Sequence, residues 1–416
     1  MKREENDLIT RVGPGTPGGK MLRRYWHPIA LSSQVPTPDC PPLWAKLLGE
    51  RFVVFRDSSG KVGVLGDRCM HRGVSLSLGR VEEGGIRCIF HGWKFATDGN
   101  VLETPNDSAG TYVCKKKKQP AYPVREQSGL IWTYIGPPEK QPPFREFIFD
   151  KVPEANRITT RGNVRASYLA LWEGGADSSH VGILHTNATR PNWGRKRRGE
   201  PTKPDVWDGL APTYAAEDTD YGYRYVAFRP VPGRDDKIQI RISPELMPGL
   251  RVLAGEKGDI PFDLAIIETP MDDNETATFS IYYSATCPIT QHADVVKKMV
   301  GMTDDLFDPA THNLKMSWPY GLNQDRRAME RDNWSGYNAI KPEDLAMTLS
   351  MGEDWDRTTE NLVGADIAVV RLRRMLLRAI ETNETGGDPP GLNLTDLSGV
   401  RSSFQPIGKD EDWKAY

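Results

Sequence analysis

Apolar and polar positions alternate in short runs between about Leu43 and Tyr134, and turn residues separate the runs. Lys46 to Phe55 reads as one strand region, after which Asp57-Ser58-Ser59-Gly60 turns the chain into Val62 to Leu65, a hairpin signature. Asp98-Gly99-Asn100 makes a similar turn between Lys94-Phe95 and Val101-Leu102, and Gly129 to Ile135 is a further strand. Together these predict a small β-sandwich. A proline-bearing stretch from Gly136 to Pro143 follows and reads as a linker.

Beyond the linker the pattern changes. A helix is predicted from Tyr168 to Leu184, then strands at Tyr223 to Phe228, Ile238 to Ile242, Leu264 to Thr269 and Thr278 to Ser284. A second helix, Ile367 to Ile380, follows Asp366 as its N-cap. Strands flanked by separate helices predict an α+β second domain. There is no internal repeat and no long low-complexity tract.

Length agrees with this division, since one hydrophobic core seldom organises more than about 250 residues and the chain has 416. The expected boundaries are 20–140 for the first domain and 141–416 for the second, with 1–19 packing against the second. A composition of 38% hydrophobic and 26% charged residues excludes a disordered or fibrous protein. The formal net charge of -2 gives no reason to expect nucleic acid or an anionic membrane as partner. Met1 to Thr10 is polar, and no later segment approaches the roughly 18 apolar residues of a membrane span. A cytoplasmic protein is expected.

Five cysteines, Cys40, Cys69, Cys88, Cys114 and Cys287, are too few and too scattered for a disulfide framework. Two of them stand beside histidines. Cys69-Met70-His71 and Cys88-Ile89-Phe90-His91 form C-x-H, sixteen intervening residues and C-x-x-H. Each segment supplies one thiolate and one imidazole, which suits two sulfide-bridged irons, one bound by both cysteines and the other by both histidines. A zinc site uses the same residue types but usually takes its cysteines and histidines in like pairs. The mixed pairing here favours the [2Fe-2S] reading. Cys40, Cys114 and Cys287 are expected to pack in the interior.

Asp177-Ser178-Ser179-His180-Val181-Gly182-Ile183-Leu184-His185 contains D-x-x-H-x4-H. Asp177 and His180 share a helix face, but His180 and His185 stand about 140° apart on a regular helix. Their convergence therefore requires a local distortion, such as a π-bulge eased by Gly182. Two histidines and a carboxylate with the other positions open form the facial triad of Fe(II) oxygenases. Four of the chain's seven histidines fall in these two motifs.

With both motifs in order, the chain resembles the Rieske non-haem iron aromatic-ring-hydroxylating oxygenases, and among them the phthalate dioxygenase-like branch. The resemblance is carried by Cys69-Met70-His71-Arg72-Gly73, by Cys88-Ile89-Phe90-His91-Gly92-Trp93 and by Glu173 to His180. The opening Val12-Gly13-Pro14-Gly15-Thr16-Pro17, Arg24-Tyr25-Trp26-His27-Pro28 and the late segment Leu372-Arg373-Arg374 extend it over nearly the whole length. It departs at Ser167 and Ala170, where the family has Asn and Gln, and at Trp172, so it leaves the substrate open.

The resemblance implies an N-terminal Rieske β-sandwich domain and a C-terminal helix-grip catalytic domain with an antiparallel sheet, assembled as a homotrimer or hexamer. It implies that Cys69, His71, Cys88 and His91 hold the [2Fe-2S] cluster and that His180 and His185 bind a mononuclear Fe(II). Pro342 to Gly352 resembles the segment that carries the third ligand, which makes Asp344 the choice, with Asp325 as competitor and Glu343 as a weaker one. Asp177 matches the family's carboxylate bridging a cluster histidine of the neighbouring subunit to an iron histidine of its own chain. A flavin and iron-sulfur reductase using NAD(P)H would supply the electrons.

The expected reaction is O2-dependent cis-dihydroxylation of an aromatic, carboxylated substrate, with a monooxygenase or O-demethylase as the alternative. A pure electron carrier would need neither the second motif nor the long segment after the first. Arg241, in an apolar strand, could pair with a substrate carboxylate as a bidentate fork or belong to an internal ion pair. Lys115 to Lys118 could dock an acidic reductase, and Arg195 to Arg198 could lie near a pocket mouth; both runs also suit plain solvated surface.

Overall fold

A computed structural model describes residues 1–107, 116–191, 193–255, 258–318 and 321–416. Cys114 and Lys115 lie outside the described residues. The chain divides into two compact units, Arg11–Phe144 with Thr269–Asp273, and Met1–Thr10 with Arg145–Glu268 and Asn274–Tyr416. Residues 11–19 thus group with the first unit, not with the second as expected. Two local bonds explain their place: Thr16 caps the Pro17–Leu22 helix, and the Val12 amide donates to Asp273, 2.8 Å.

The first unit is built from short antiparallel strands. Leu43–Leu47, Glu50–Arg56, Val62–Gly66 and Ala121–Tyr122 form one sheet, and Trp26–Leu31, Leu130–Tyr134 and Val124–Gln127 another. A third joins Arg80–Glu82, Gly85–Arg87, Lys94–Phe95 and Val101–Glu103. The region 46–55, expected as one strand region, contains a hairpin. Leu47 pairs with Glu50, and the two linking residues, Leu48 and Gly49, take φ of 50° and 80°, the positive pair that a two-residue hairpin turn demands. Without Asn-Gly or Asp-Gly the turn carried no recognisable signal. The Asp57–Lys61 turn forms as expected, with Asp57 Oδ1 accepting from the Ser59 and Lys61 amides. Val53, Phe55, Leu65, Leu76, Ile86, Trp93 and Phe95 pack in one cluster with Cys69 and Cys88, so the core of this unit is also the base of the two metal-ligand loops.

The second unit is an α+β assembly around an eight-stranded sheet. Its strands run in the order Arg157–Val164, Thr276–Tyr283, Asp263–Pro270, Leu250–Leu253, Lys237–Leu246, Gly222–Pro230 and Thr213–Thr219, and Ser403–Gly408 also pairs with Lys237–Leu246. Helices Tyr168–Ala176 and Ile367–Glu384 pack on this sheet: Trp172 Nε1 donates to Glu245, 2.6 Å, and Tyr223 Oη to the Ala368 carbonyl, 2.9 Å. Ala368, Val369, Leu372, Met375, Leu376, Ala379 and Ile380 supply the buried stripe of the longer helix at helical spacing. Asp366 stands at its N-cap position but makes no cap bond, because its Oδ2 accepts from the Val363 amide one turn earlier.

Glu173 ties this unit together. Arg357 Nε lies 3.0 and 3.1 Å from its two oxygens and Arg373 Nε 2.6 Å from Oε1, while Arg357 Nη1 donates to Asn6. A buried carboxylate needs such paired, hydrogen-bonded cations to offset its lost hydration. Gly175, two residues on, leaves room for another guanidinium, since a Cβ there would sit 2.1 Å from Arg251 Cζ.

Candidate functional site

The two cysteine loops of the first unit share one construction. The Gly73 amide returns to the Cys69 carbonyl at 2.7 Å and the Cys69 amide to the Val74 carbonyl at 2.8 Å; Gly92 with Cys88, and Cys88 with Trp93, repeat both bonds at 2.9 and 2.8 Å. Each glycine closes its turn at positive φ, 75° and 77°. Gln119, 1% exposed, pins the first loop by accepting from the Met70 amide and donating to the Gly66 and Arg68 carbonyls. Nothing in the sequence pattern singled it out.

The loops bring Cys69, Cys88, His71 and His91 to one place. The cysteines are buried and unbridged, and burial pushes the Cys69 thiol up to about 11. The His71 and His91 rings stand 4.6 Å apart between centroids, with His71 stacked on Trp93. His91 Nδ1 is buried without a hydrogen-bond partner, which a metal ligand would be. The donor set fits a Rieske cluster.

In the second unit the helix expected over 168–184 breaks into two pieces, and a third short helix follows it. Tyr168–Ala176, capped by Ser167, stops at Asp177, whose extended backbone and bonds from the Ser179 amide (2.7 Å) and hydroxyl (2.6 Å) turn the chain. Val181–Leu184 and Thr186–Thr189 follow, separated by His185 at φ -89°, ψ 32°. The distortion that spacing requires is therefore a break at His185, not a π-bulge, and it brings the Nε2 atoms of His180 and His185 to 3.2 Å.

Asp344 completes the set from the Ile340–Ser350 helix. Its Oδ1 lies 3.1 Å from His185 Nε2 and 3.6 Å from His180 Nε2. Ligands about 2.1 Å from an octahedral metal and at right angles stand about 3.0 Å from one another, so the three atoms fit one face of such an ion. Among the described residues this is the one cluster of three such side chains able to share a metal. Asp325 is elsewhere, exposed and capping the Arg326–Met329 helix through the Ala328 amide, 2.9 Å.

Each imidazole is held from behind by a carboxylate. Asp177 Oδ2 lies 3.3 Å from His180 Nδ1 and Glu343 Oε2 2.6 Å from His185 Nδ1, so both Nε2 atoms face inward as acceptors once Nδ1 is protonated. Burial lowers the His185 pKa, but Asp344 and Glu343 outweigh it and raise the value to about 9. Glu343, a weak competitor for the iron in the sequence, is instead buried behind His185 and accepts from Ser335. Its position directly before Asp344 was the available signal. Glu343→Gln is expected to weaken Fe(II) binding about tenfold to a hundredfold with the cluster absorbance unchanged, as read by iron titration of the apoprotein; unaltered affinity would leave Glu343 a packing role only.

The open side of the triad faces a cavity of about 820 Å3 lined by apolar side chains, among them Leu184, Trp207, Ile266, Met347 and Phe404. Arg241 also lines it and donates to Ser178 Oγ, 3.0 Å, with no carboxylate partner among the described residues. Of its two sequence readings, the internal ion pair is not formed. In the Arg195–Arg198 run, Arg195 and Arg198 pair with Glu200, Arg198 also with Asp332, and Lys196 with Asp208, next to the cavity-lining Trp207. No helix of the described residues is long and apolar enough to cross a membrane.

Residues 25–123 match the family model of the Rieske [2Fe-2S] domain, and residues 133–416 match the model described as LigXa C-terminal domain like. The chain is 32% identical over 431 residues to a phthalate 4,5-dioxygenase oxygenase subunit of Pseudomonas putida, covering 99% of this chain and 94% of that one. It is also 32% identical to a 3-chlorobenzoate-3,4-dioxygenase oxygenase subunit of Comamonas testosteroni over 99% and 96% of the two chains. Among solved structures, dicamba monooxygenase bound to dicamba shares the fold, with a TM-score of 0.60 at 16% identity over 88% of this chain and 99% of that one.

Proposed function

The chain belongs to the Rieske non-haem iron oxygenases, in their phthalate dioxygenase-like branch, and from that premise we propose that it dihydroxylates an aromatic carboxylic acid to a cis-diol. The observation that carries this reading is the convergence of His180, His185 and Asp344 on the wall of an apolar cavity that also holds Arg241. His180, His185 and Asp344 would hold the Fe(II), and Cys69, His71, Cys88 and His91 the [2Fe-2S] cluster. The metals supply oxygen activation and single-electron transfer.

The chain's own residues bind, aim and shield. Arg241 receives the substrate carboxylate as a planar fork, and the apolar walls hold the ring against the triad and exclude water. Glu343 and Asp177 fix the two imidazoles. Asp177 further links His180 to a cluster histidine of a neighbouring subunit in a homotrimer or hexamer, and an NAD(P)H-dependent flavin and iron-sulfur reductase feeds the cluster in the cytoplasm.

Metal analysis of anaerobically purified protein should find about three irons per chain and a red-brown spectrum. Substrate-dependent oxygen uptake with aromatic carboxylates, and a diol product, complete the test; zinc in a colourless protein overturns the reading. Arg241→Gln is expected to raise KM for carboxylates about tenfold to a hundredfold, the worth of a charge-assisted hydrogen bond, with little change for the matching amides. Equal effects on acid and amide would remove Arg241 from carboxylate recognition.

A further inference from the structure

The chain's twelve methionines are unevenly placed. Met299, Met347 and Met351 are exposed, at 45%, 42% and 38%, and the rest are buried or half-buried. All three exposed ones line the cavity beside the triad, and no other methionine of the described residues does. Two of them belong to the element that carries Asp344. Met347 lies one turn beyond it on the Ile340–Ser350 helix, and Met351 caps that helix two turns beyond it. Such positions share one helix face, and at 1.5 Å per residue they stand about 4.5 and about 10.5 Å along the axis from Asp344. Met299 comes from the Ala293–Val300 helix, whose end packs on the first turn of the same element: a Cβ at Gly301 would sit 2.6 Å from Pro342 Cδ.

Other apolar walls of this cavity are Leu253, Leu264, Ile266 and Leu345. Such side chains exchange with methionine at little cost in packing, so what methionine adds is its sulfur. A thioether is soft and polarisable, and oxidation turns it into a polar, chiral sulfoxide. An enzyme that consumes O2 forms hydrogen peroxide whenever two electrons and two protons reach O2 and no substrate receives the oxygen. Peroxide that leaves the triad by way of the cavity passes these side chains. The sulfur gives its lone pair to one peroxide oxygen, the O–O bond breaks, and the second oxygen leaves as water with both protons. Sulfur is oxidised by two electrons, and peroxide is reduced by the same two.

We propose that Met299, Met347 and Met351 form a sulfoxidation site that brakes the enzyme: hydrogen peroxide arising at the triad oxidises them, and the sulfoxides weaken the binding of an aromatic substrate. This rests on the function proposed above and adds its regulation. A sulfoxide oxygen on an apolar wall must find a hydrogen-bond partner or keep water in the cavity, and either competes with the substrate ring. Exposure makes the change reversible, since a methionine sulfoxide reductase reaches the same side chains from solvent.

Peptide mass spectrometry of the holoenzyme reads the site, and calorimetry with benzoate, at equal iron content, reads its effect. Reagent hydrogen peroxide should oxidise Met299, Met347 and Met351 well before the buried methionines. Reduced holoenzyme, freed of excess reductant and exposed to O2 with catalase present to clear the solvent of peroxide, should oxidise the same three; Asp344→Ala should not. Benzoate should then bind roughly fivefold more weakly, and methionine sulfoxide reductases should restore its affinity. The triple variant Met299→Leu, Met347→Leu, Met351→Leu, compared with its own untreated affinity, should lose none of it to peroxide. Oxidation spread evenly over the methionines, oxidation that catalase prevents, or an equal loss of affinity in the triple variant overturns the proposal. Benzoate bound equally well before and after oxidation overturns the brake but leaves the function above standing; an unoxidised holoenzyme that binds no aromatic acid overturns both.

Discussion

Asp344→Ala yields a protein that keeps the colour of its iron-sulfur cluster and loses its mononuclear iron, falling from about three irons per chain to about two. Substrate-dependent oxygen uptake falls with it to below about one hundredth, because the chemistry resides in the metal. The expectation follows from geometry: Asp344 Oδ1 is the carboxylate oxygen that faces both inward imidazole nitrogens, at 3.1 and 3.6 Å. Asp325→Ala is the comparison. It removes a helix cap worth about 1 kcal/mol and leaves all three irons in place. Iron retained in the first variant and lost in the second would reverse the assignment.

Asp177→Asn is expected to slow turnover by about two orders of magnitude while both metals and substrate binding are retained. The turn should survive, since an asparagine Oδ1 can accept from the Ser179 amide and hydroxyl as Asp177 Oδ1 does. What disappears is a negative charge 3.3 Å from His180 Nδ1. Burial works against that charge, but the bonds from His180 and Ser179 hold the carboxyl below its usual range, so it is ionised at neutral pH. The informative readout is the cluster itself. Dithionite should reduce it normally, and its reoxidation with substrate and oxygen should slow by the same factor as turnover. Near-normal turnover removes the bridging role, and a loss of iron makes Asp177 structural.

The candidate cluster ligands on short loops were legible in the sequence because their spacing is their geometry. Cys69 with His71, and Cys88 with His91, need only a turn closed by Gly73 or Gly92, and the strand pattern around them was visible in its alternation. Features that depend on distant partners were not. Glu173 reads as part of a motif, but Arg357 and Arg373 hold it from far down the chain. Glu343 and Asp344 are adjacent acids of one helix, and only the fold shows that one stands behind His185 while the other faces it. The length of the Tyr168 helix was overread because apolar periodicity continues past Asp177, where side-chain bonds to the Ser179 backbone and hydroxyl compete with the helix.

The triad also has an order of manufacture. His180 and His185 are synthesised well before Asp344, and most of the eight-stranded sheet lies between them in the chain. Until the Ile340–Ser350 segment has been made, the candidate iron site lacks its carboxylate, and two imidazoles alone suit copper or zinc at least as well as iron. The missing carboxylate then arrives on the same helical turn as Glu343, which aims His185. The candidate iron site is thus a product of the closed fold and not of the D-x-x-H-x4-H segment alone, because no stretch of chain that ends before that helix holds all three of its residues.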